Sequence, residues 1–171
     1  MKQVLVLLFA LLPTVAICQT MKDHNVDKAT NITTAATSIE TLAQSNGVTD
    51  IQAKGVVFGF TNKSDKAMAI YLYIRATKFC PLETNKSNVT LILDSDEALK
   101  LTYGGMNLEF HPGEVVEFFS FIDKSYAEVL MAHSVKELLV DINGKVAYQV
   151  KEKQQPLITN VVKLMTEEMA K

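Results

Sequence analysis

Seventeen lysines and arginines face nineteen acidic residues in this 171-residue chain, a net charge of −2, and the cations are spread along it rather than clustered. Neutralising phosphates needs a concentrated basic face, so nucleic acid is excluded as a partner. Arg75 is the sole arginine, which leaves little capacity for planar, bidentate recognition of phosphate or carboxylate groups.

Met1 to Cys18 reads as a secretory signal peptide. Lys2 supplies the positive start, an apolar run follows from Val4 to Leu12, and Pro13 breaks it before Ala16-Ile17-Cys18-Gln19. The run is far shorter than the roughly 20 residues a membrane-spanning helix needs, so cleavage and a mature chain without a transmembrane segment are expected. Cutting after Cys18 leaves small residues, Ala16 and Cys18, at the recognition positions and makes Gln19 the new terminus. The expected location is secreted or periplasmic. The alternative is an outer-envelope lipoprotein acylated at Cys18, against which stands Ile17, where such processing wants Gly, Ala or Ser. With Cys18 removed, Cys80 is the remaining thiol, so no intramolecular disulfide can form. Following the apolar run that ends at Phe79, Cys80 is expected to be buried.

Residues 19–50 are polar and rich in Thr and Ala, with one weak stripe at Ile32, Ala36, Ile39 and Ala43 closed by Asn46-Gly47. This predicts a mobile leader with at most a marginal helix, because small apolar residues offer little burial. Residues 51–171 are predicted to be a single β-rich globular domain. Val56, Phe58 and Phe60 alternate with smaller residues, and Thr61 to Lys66 reads as a polar turn. Then Met68, Ile70, Leu72, Ile74 and Ala76 alternate with Tyr71, Tyr73, Arg75 and Thr77, the period of a half-buried strand. Val89 to Leu93, Leu99 to Tyr103, Met106 to Phe110 and Val115 to Phe121 are further strands, separated by turn chemistry at Asp94 to Glu97, Gly104-Gly105 and His111-Pro112-Gly113. Short spacers imply antiparallel pairing.

A short helix is predicted over Ser125 to Ala132, with Ser125 and Glu128 at capping-box spacing. Val135 to Ile142 and Lys145 to Val150 flank Asn143-Gly144, which predicts a hairpin with a type I′ turn. An amphipathic helix begins near Pro156 and carries Ile158, Val161, Val162, Met165 and Met169 on one side. The fold class is therefore α+β, mainly β: an antiparallel sheet or sandwich of about eight short strands, a short helix before the last hairpin and a C-terminal amphipathic helix. The strand faces Met68/Ile70/Leu72/Ile74, Val89/Leu91/Leu93 and Leu138/Val140/Ile142 should meet in one core closed by Ile158, Val161 and Met165. Strands leading into a short Ser-capped helix, then Val135-Lys136-Glu137-Leu138-Leu139-Val140 and a closing helix, lie behind a lysine-led leader ending at Gln19. This pattern resembles uncharacterised exported β-rich proteins of Bacteroidetes-type bacteria from Ile51 onward. The resemblance implies export and a β-rich fold, and it carries no catalytic residues to transfer.

Reactive constellations are sparse. His24 falls in the leader, His111 in a turn and His133 after the short helix, and none has metal-ligand spacing. There is no Gly-x-Ser-x-Gly elbow, and Cys80 lacks the flanking residues of thiol proteases. Glu109, Glu114 and Glu117 flank the His111 turn, and His111 with Glu109 and Glu114 is the alternative catalytic site, that of a small secreted hydrolase. Asp94-Ser95-Asp96-Glu97 fails as a calcium loop, since Leu99 and Gly105 stand where an EF-hand needs Gly and Glu. No metal and no cofactor are therefore expected. Tyr71, Tyr73 and Arg75 share one face of their strand and are the residue types that anchor binding surfaces, although a second layer covering that face is the commoner arrangement. Asn31, Asn62, Asn85 and Asn88 each begin an Asn-x-Ser/Thr sequon, the latter three in expected polar loops. The leading expectation is an exported non-catalytic binding or interaction domain whose partner is an unknown protein or small molecule. A peripheral component of an envelope assembly, docking through the final helix, is a further reading.

Overall fold

A computed structural model describes residues 21–45, 48–60, 63–76, 79–141 and 145–171. The expected signal peptide, Asn62 and the expected Asn143-Gly144 turn lie outside the described residues. Twelve strands and two helices are present among them. The larger sheet runs β1 (Met21–Asp27), β2 (Ile32–Thr37), β4 (Val48–Phe60), β5 (Lys63–Arg75) and β10 (Val115–Ile122), with β3 (Glu40–Ser45) also paired to β4. A second sheet has the order β12 (Lys145–Gln149), β11 (Val135–Asp141), β7 (Ser87–Leu93) and β8 (Ala98–Thr102). A two-stranded ribbon pairs β6 (Cys80–Leu82) with β9 (Leu108–Phe110). All pairings are antiparallel, and the α+β, mainly β class holds.

The period-two patterns set which side of each strand is buried. In β5, Met68, Ile70, Leu72 and Ile74 point inward; in β10, Val116, Phe118, Ser120 and Ile122 do so. Their core is shared with Val89, Leu91 and Leu93 of β7, Leu138 and Val140 of β11, and Ile158, Val161 and Met165 of α2 (Leu157–Met169). That is the predicted convergence; Ile142 lies outside the described residues. The apolar face of α2 is thus occupied by the chain's own core. Three turns use left-handed backbone at Asn31, Asn85 and Asp96, a conformation short polar side chains tolerate best.

The leader is where sequence and structure part. Residues 21–45 are three strands of the larger sheet and not a mobile segment with a marginal helix, and the boundary at Asp50 falls inside β4. β2 and β3 pair end to end along one edge of β4, Ala36 opposite Val56 and Glu40 opposite Ala53. Between them the ladder is broken. Thr37 fills the gap: its buried hydroxyl accepts the Gly55 N–H at 2.9 Å and donates to the Ser38 carbonyl at 3.1 Å. The small side chains that argued against burial are buried all the same at Ala35, Ala36 and Ala43, and Leu42 is fully enclosed.

Other corrections are local. α1 spans Lys124–Ala132 and is capped by Asp123, whose carboxylate accepts from Tyr126 N–H at 2.9 Å and from the Ser125 hydroxyl at 2.7 Å. Ser125 therefore supports the cap rather than forming it. The predicted strand from Met106 begins only at Leu108, Met106 being 76 % exposed, and β6 was not foreseen. Asn88 lies within β7 and not in a loop.

The Cβ of an alanine at position 55 would sit 2.5 Å from Val161 Cγ1 and 2.9 Å from Met165 Sδ. Chemical denaturation of point variants reads out both the leader and this contact. Leu42→Ala should cost about 2–5 kcal/mol. Gly55→Ala should cost about 1–3 kcal/mol through overpacking. Ile39→Ala, at a residue 49 % exposed in the link between β2 and β3, should cost under about 1 kcal/mol although the strands on either side belong to the sheet. A Leu42→Ala variant as stable as the parent would mean that β3 does not hold the sheet.

Candidate functional site

The outer face of the larger sheet is built by register. Lys54, Tyr71 and Phe119 are opposite one another across β4, β5 and β10, and Gln52, Tyr73 and Glu117 form the next row. Phe58 and Phe121 extend the aromatic strip toward the other end. Tyr71 stacks on Phe119 with ring centres 5.3 Å apart, Phe121 stands edge-on to Phe119 at 5.7 Å and to Phe58 at 6.4 Å, and Phe58 lies 6.5 Å from Tyr71. These are favourable aromatic geometries, in which each ring supports its neighbours. Tyr103, buried at the β10 edge, meets Phe119 edge-on at 5.8 Å, and the Gly104 N–H bonds the Phe119 carbonyl at 3.0 Å.

Tyr71 and Tyr73, with Lys54, Glu117, Asn25 and Thr34, line a cleft of about 360 Å³. Both tyrosines are half-buried. Burial pushes their phenols above the ordinary range and the Glu117 charge adds to it, so both remain protonated donors at neutral pH. The structure thus brings two of the three predicted surface residues together. Arg75 is exposed one row further, its Nη1 donating to the Gly113 carbonyl at 3.4 Å. Phe58, Lys54, Glu117, Phe119 and Phe121 were missed. The alternation of β10 was visible in sequence, but its register against β5, which sets Glu117 beside Tyr73, was not.

The alternative catalytic group has a different arrangement. The Glu114 carboxylate accepts the backbone N–H of His111 at 2.8 Å, closing the turn on itself, and the imidazole of His111 lies 5.8 Å from the Phe79 ring. Glu109 is exposed on β9. His133 is instead paired with Asp94, Nδ1 to Oδ1 at 2.9 Å, while Asp94 Oδ2 accepts the Ser134 N–H at 3.2 Å and Lys136 pairs with Asp96. The acidic turn is thus strapped to the segment after α1. The side chain of Cys80 is outside the described set. Among the described residues, no group of three His, Cys, Asp or Glu side chains is placed to hold a metal ion.

A second cleft, about 730 Å³, lies between α1, the end of α2 and the adjoining ends of β5 and β10. Met68, Met131, Met169 and Phe121 give it apolar walls. Its polar groups are already engaged: Lys66 Nζ donates to the Glu168 carbonyl at 3.2 Å, Asp123 caps α1, and Lys124 pairs with Glu128 at 4.0 Å. Among the described residues, no helix is long and apolar enough to cross a membrane. Comparison with protein-family models, curated proteins and solved structures finds no match to this chain.

Hydrogen bonds from Ser134 N–H and His133 hold the Asp94 carboxyl below its ordinary range. A carboxyl lowered in the folded state contributes its stability in full above the unfolded value of about 3.9, and loses it as pH falls through the folded value. Asp94→Asn should therefore melt below the parent at neutral pH, with the gap closing in acid as the pH falls below the unfolded value of about 3.9 and through the lower folded one. Thermal melts of both proteins at neutral and acid pH check this; a gap unchanged in acid would show that Asp94 acts through packing alone.

Proposed function

We propose that this chain is an exported, non-catalytic binding domain whose ligand surface is the outer face of the larger sheet. One observation carries the reading. Phe58, Tyr71, Phe119 and Phe121 form an aromatic strip on the outer face, with Tyr73, Lys54 and Glu117 set beside Tyr71 by strand and register. Rigid aromatic rings bring large contact area at small entropic cost, which is why they dominate binding hot spots. The 730 Å³ cleft is larger, yet its polar groups are engaged within the fold, so it offers apolar surface with little directional recognition.

The export half rests on the first eighteen residues and on the resemblance to exported β-rich proteins of Bacteroidetes-type bacteria. The same proposal reads the two sheets and their shared core as a sandwich, a common architecture of exported modules. N-terminal sequencing of the protein from its native host should return a chain starting at or within a residue or two of Gln19. Retained Met1 would overturn export, and an acylated Cys18 would replace soluble export with the lipoprotein reading.

The surface itself is tested by amide chemical-shift mapping against a library of small polar-aromatic fragments. Shifts should cluster at Gln52 to Phe58, Ala69 to Arg75 and Val115 to Phe121. Clustering around α1 and the end of α2 would move the binding site to the apolar cleft and overturn the assignment.

A further inference from the structure

Resting on the reading of the outer sheet face as the ligand surface, we infer that its ligand is a neutral oligosaccharide. A pyranose presents a C–H-rich face and a rim of hydroxyls, each both donor and acceptor. It therefore needs flat apolar rings interleaved with unpaired polar groups of both kinds. Tyr71 and Tyr73 are two residues apart on β5, which sets their Cα atoms about 7 Å apart on one face, and Phe119 lies one strand over. The rim groups are on the same surface. Lys54 stands opposite Tyr71 and Glu117 opposite Tyr73, while Asn25 and Thr34 close one side of the 360 Å³ cleft. Among the described residues, no hydrogen bond or ion pair engages the Lys54 amine, the Glu117 carboxylate or the two phenol hydroxyls.

Charge narrows the class. One lysine and one glutamate cancel within the cleft, which favours neither a polyanion nor a cation, and the only arginine is tied to the Gly113 carbonyl. An extended peptide would be captured by the hydrogen-bonding edge of a strand, whereas these side chains stand on the face of β4 and β5, each paired on both edges. The raised phenol pKa values keep both tyrosines as donors over the whole physiological range.

Isothermal titration calorimetry of the purified protein with cellohexaose, laminarihexaose, mannohexaose and xylohexaose tests the class. At least one should bind with a Kd between about 10 μM and 1 mM. Tyr73→Ala should weaken it about tenfold or more, and Tyr73→Phe, which keeps the ring, should weaken it less. Lys54→Gln and Glu117→Gln, exchanges of surface side chains that leave the rings in place, should each weaken it about threefold or more. Val146→Ala, on the second sheet, should leave it unchanged. If no hexasaccharide binds up to about 10 mM while the fragments still map to this face, the sugar class is overturned and the binding surface stands. If a hexasaccharide binds equally well to Tyr73→Ala, Lys54→Gln and Glu117→Gln, both the class assignment at this site and the surface itself fall.

Discussion

The larger sheet and the final helix pack closely at Gly55, and much of the architecture depends on that contact. A side chain there would collide with Val161 and Met165, so α2 can lie against β4 only where the strand has no Cβ. The same residue is where the opposite edge of β4 changes partner from β2 to β3, which would strand a buried N–H. The Thr37 hydroxyl takes that donor. One backbone position thus settles helix docking and a break in the ladder together. With β2 and β3 both anchored there, β4 and β5 run thirteen residues each as the central pair.

A long central pair has a functional corollary. Its inner face is committed to the core by Ile70, Leu72 and Ile74, while its outer face is free to carry side chains chosen for something other than stability. Tyr71, Tyr73 and Lys54 occupy that face, and cross-strand stacking on Phe119 orders the Tyr71 ring. The apolar cleft at the other end meets the strip at Phe121, which is 57 % exposed and belongs to both.

Much of this was legible in the sequence. Strict alternation marked β5 and β10, turn residues marked their neighbours, and the helical stripe marked α2, because burial on one face imposes a period that survives in a single chain. The strands of residues 21–45 were not legible. Ala35, Ala36 and Ala43 are buried, but small residues contribute weakly to any periodic signal, and the stripe through Ile39 suited a helix while Ile39 itself faces solvent. Tyr71 and Tyr73 were identified from their strand alone. Lys54 and Glu117 were not, since their place beside the tyrosines is a property of pairing between strands and no local pattern encodes it. The acid cap at Asp123 is two positions before the expected Ser125, a boundary at which two side chains suited to capping compete.

The contact between Lys66 and the Glu168 carbonyl joins residues 102 positions apart, and Gly55 and Val161 are similarly remote. Such separations make closure a late event in the life of the chain: strands β1 to β5 are synthesised long before the helix that covers their inner face. Until α2 arrives, Leu42, Ile70 and Leu72 have no lid, and the nascent sheet is an open apolar surface in need of shielding. Under the proposed export, this order of assembly is an advantage, because the element that locks the domain is delivered only after most of the chain has passed.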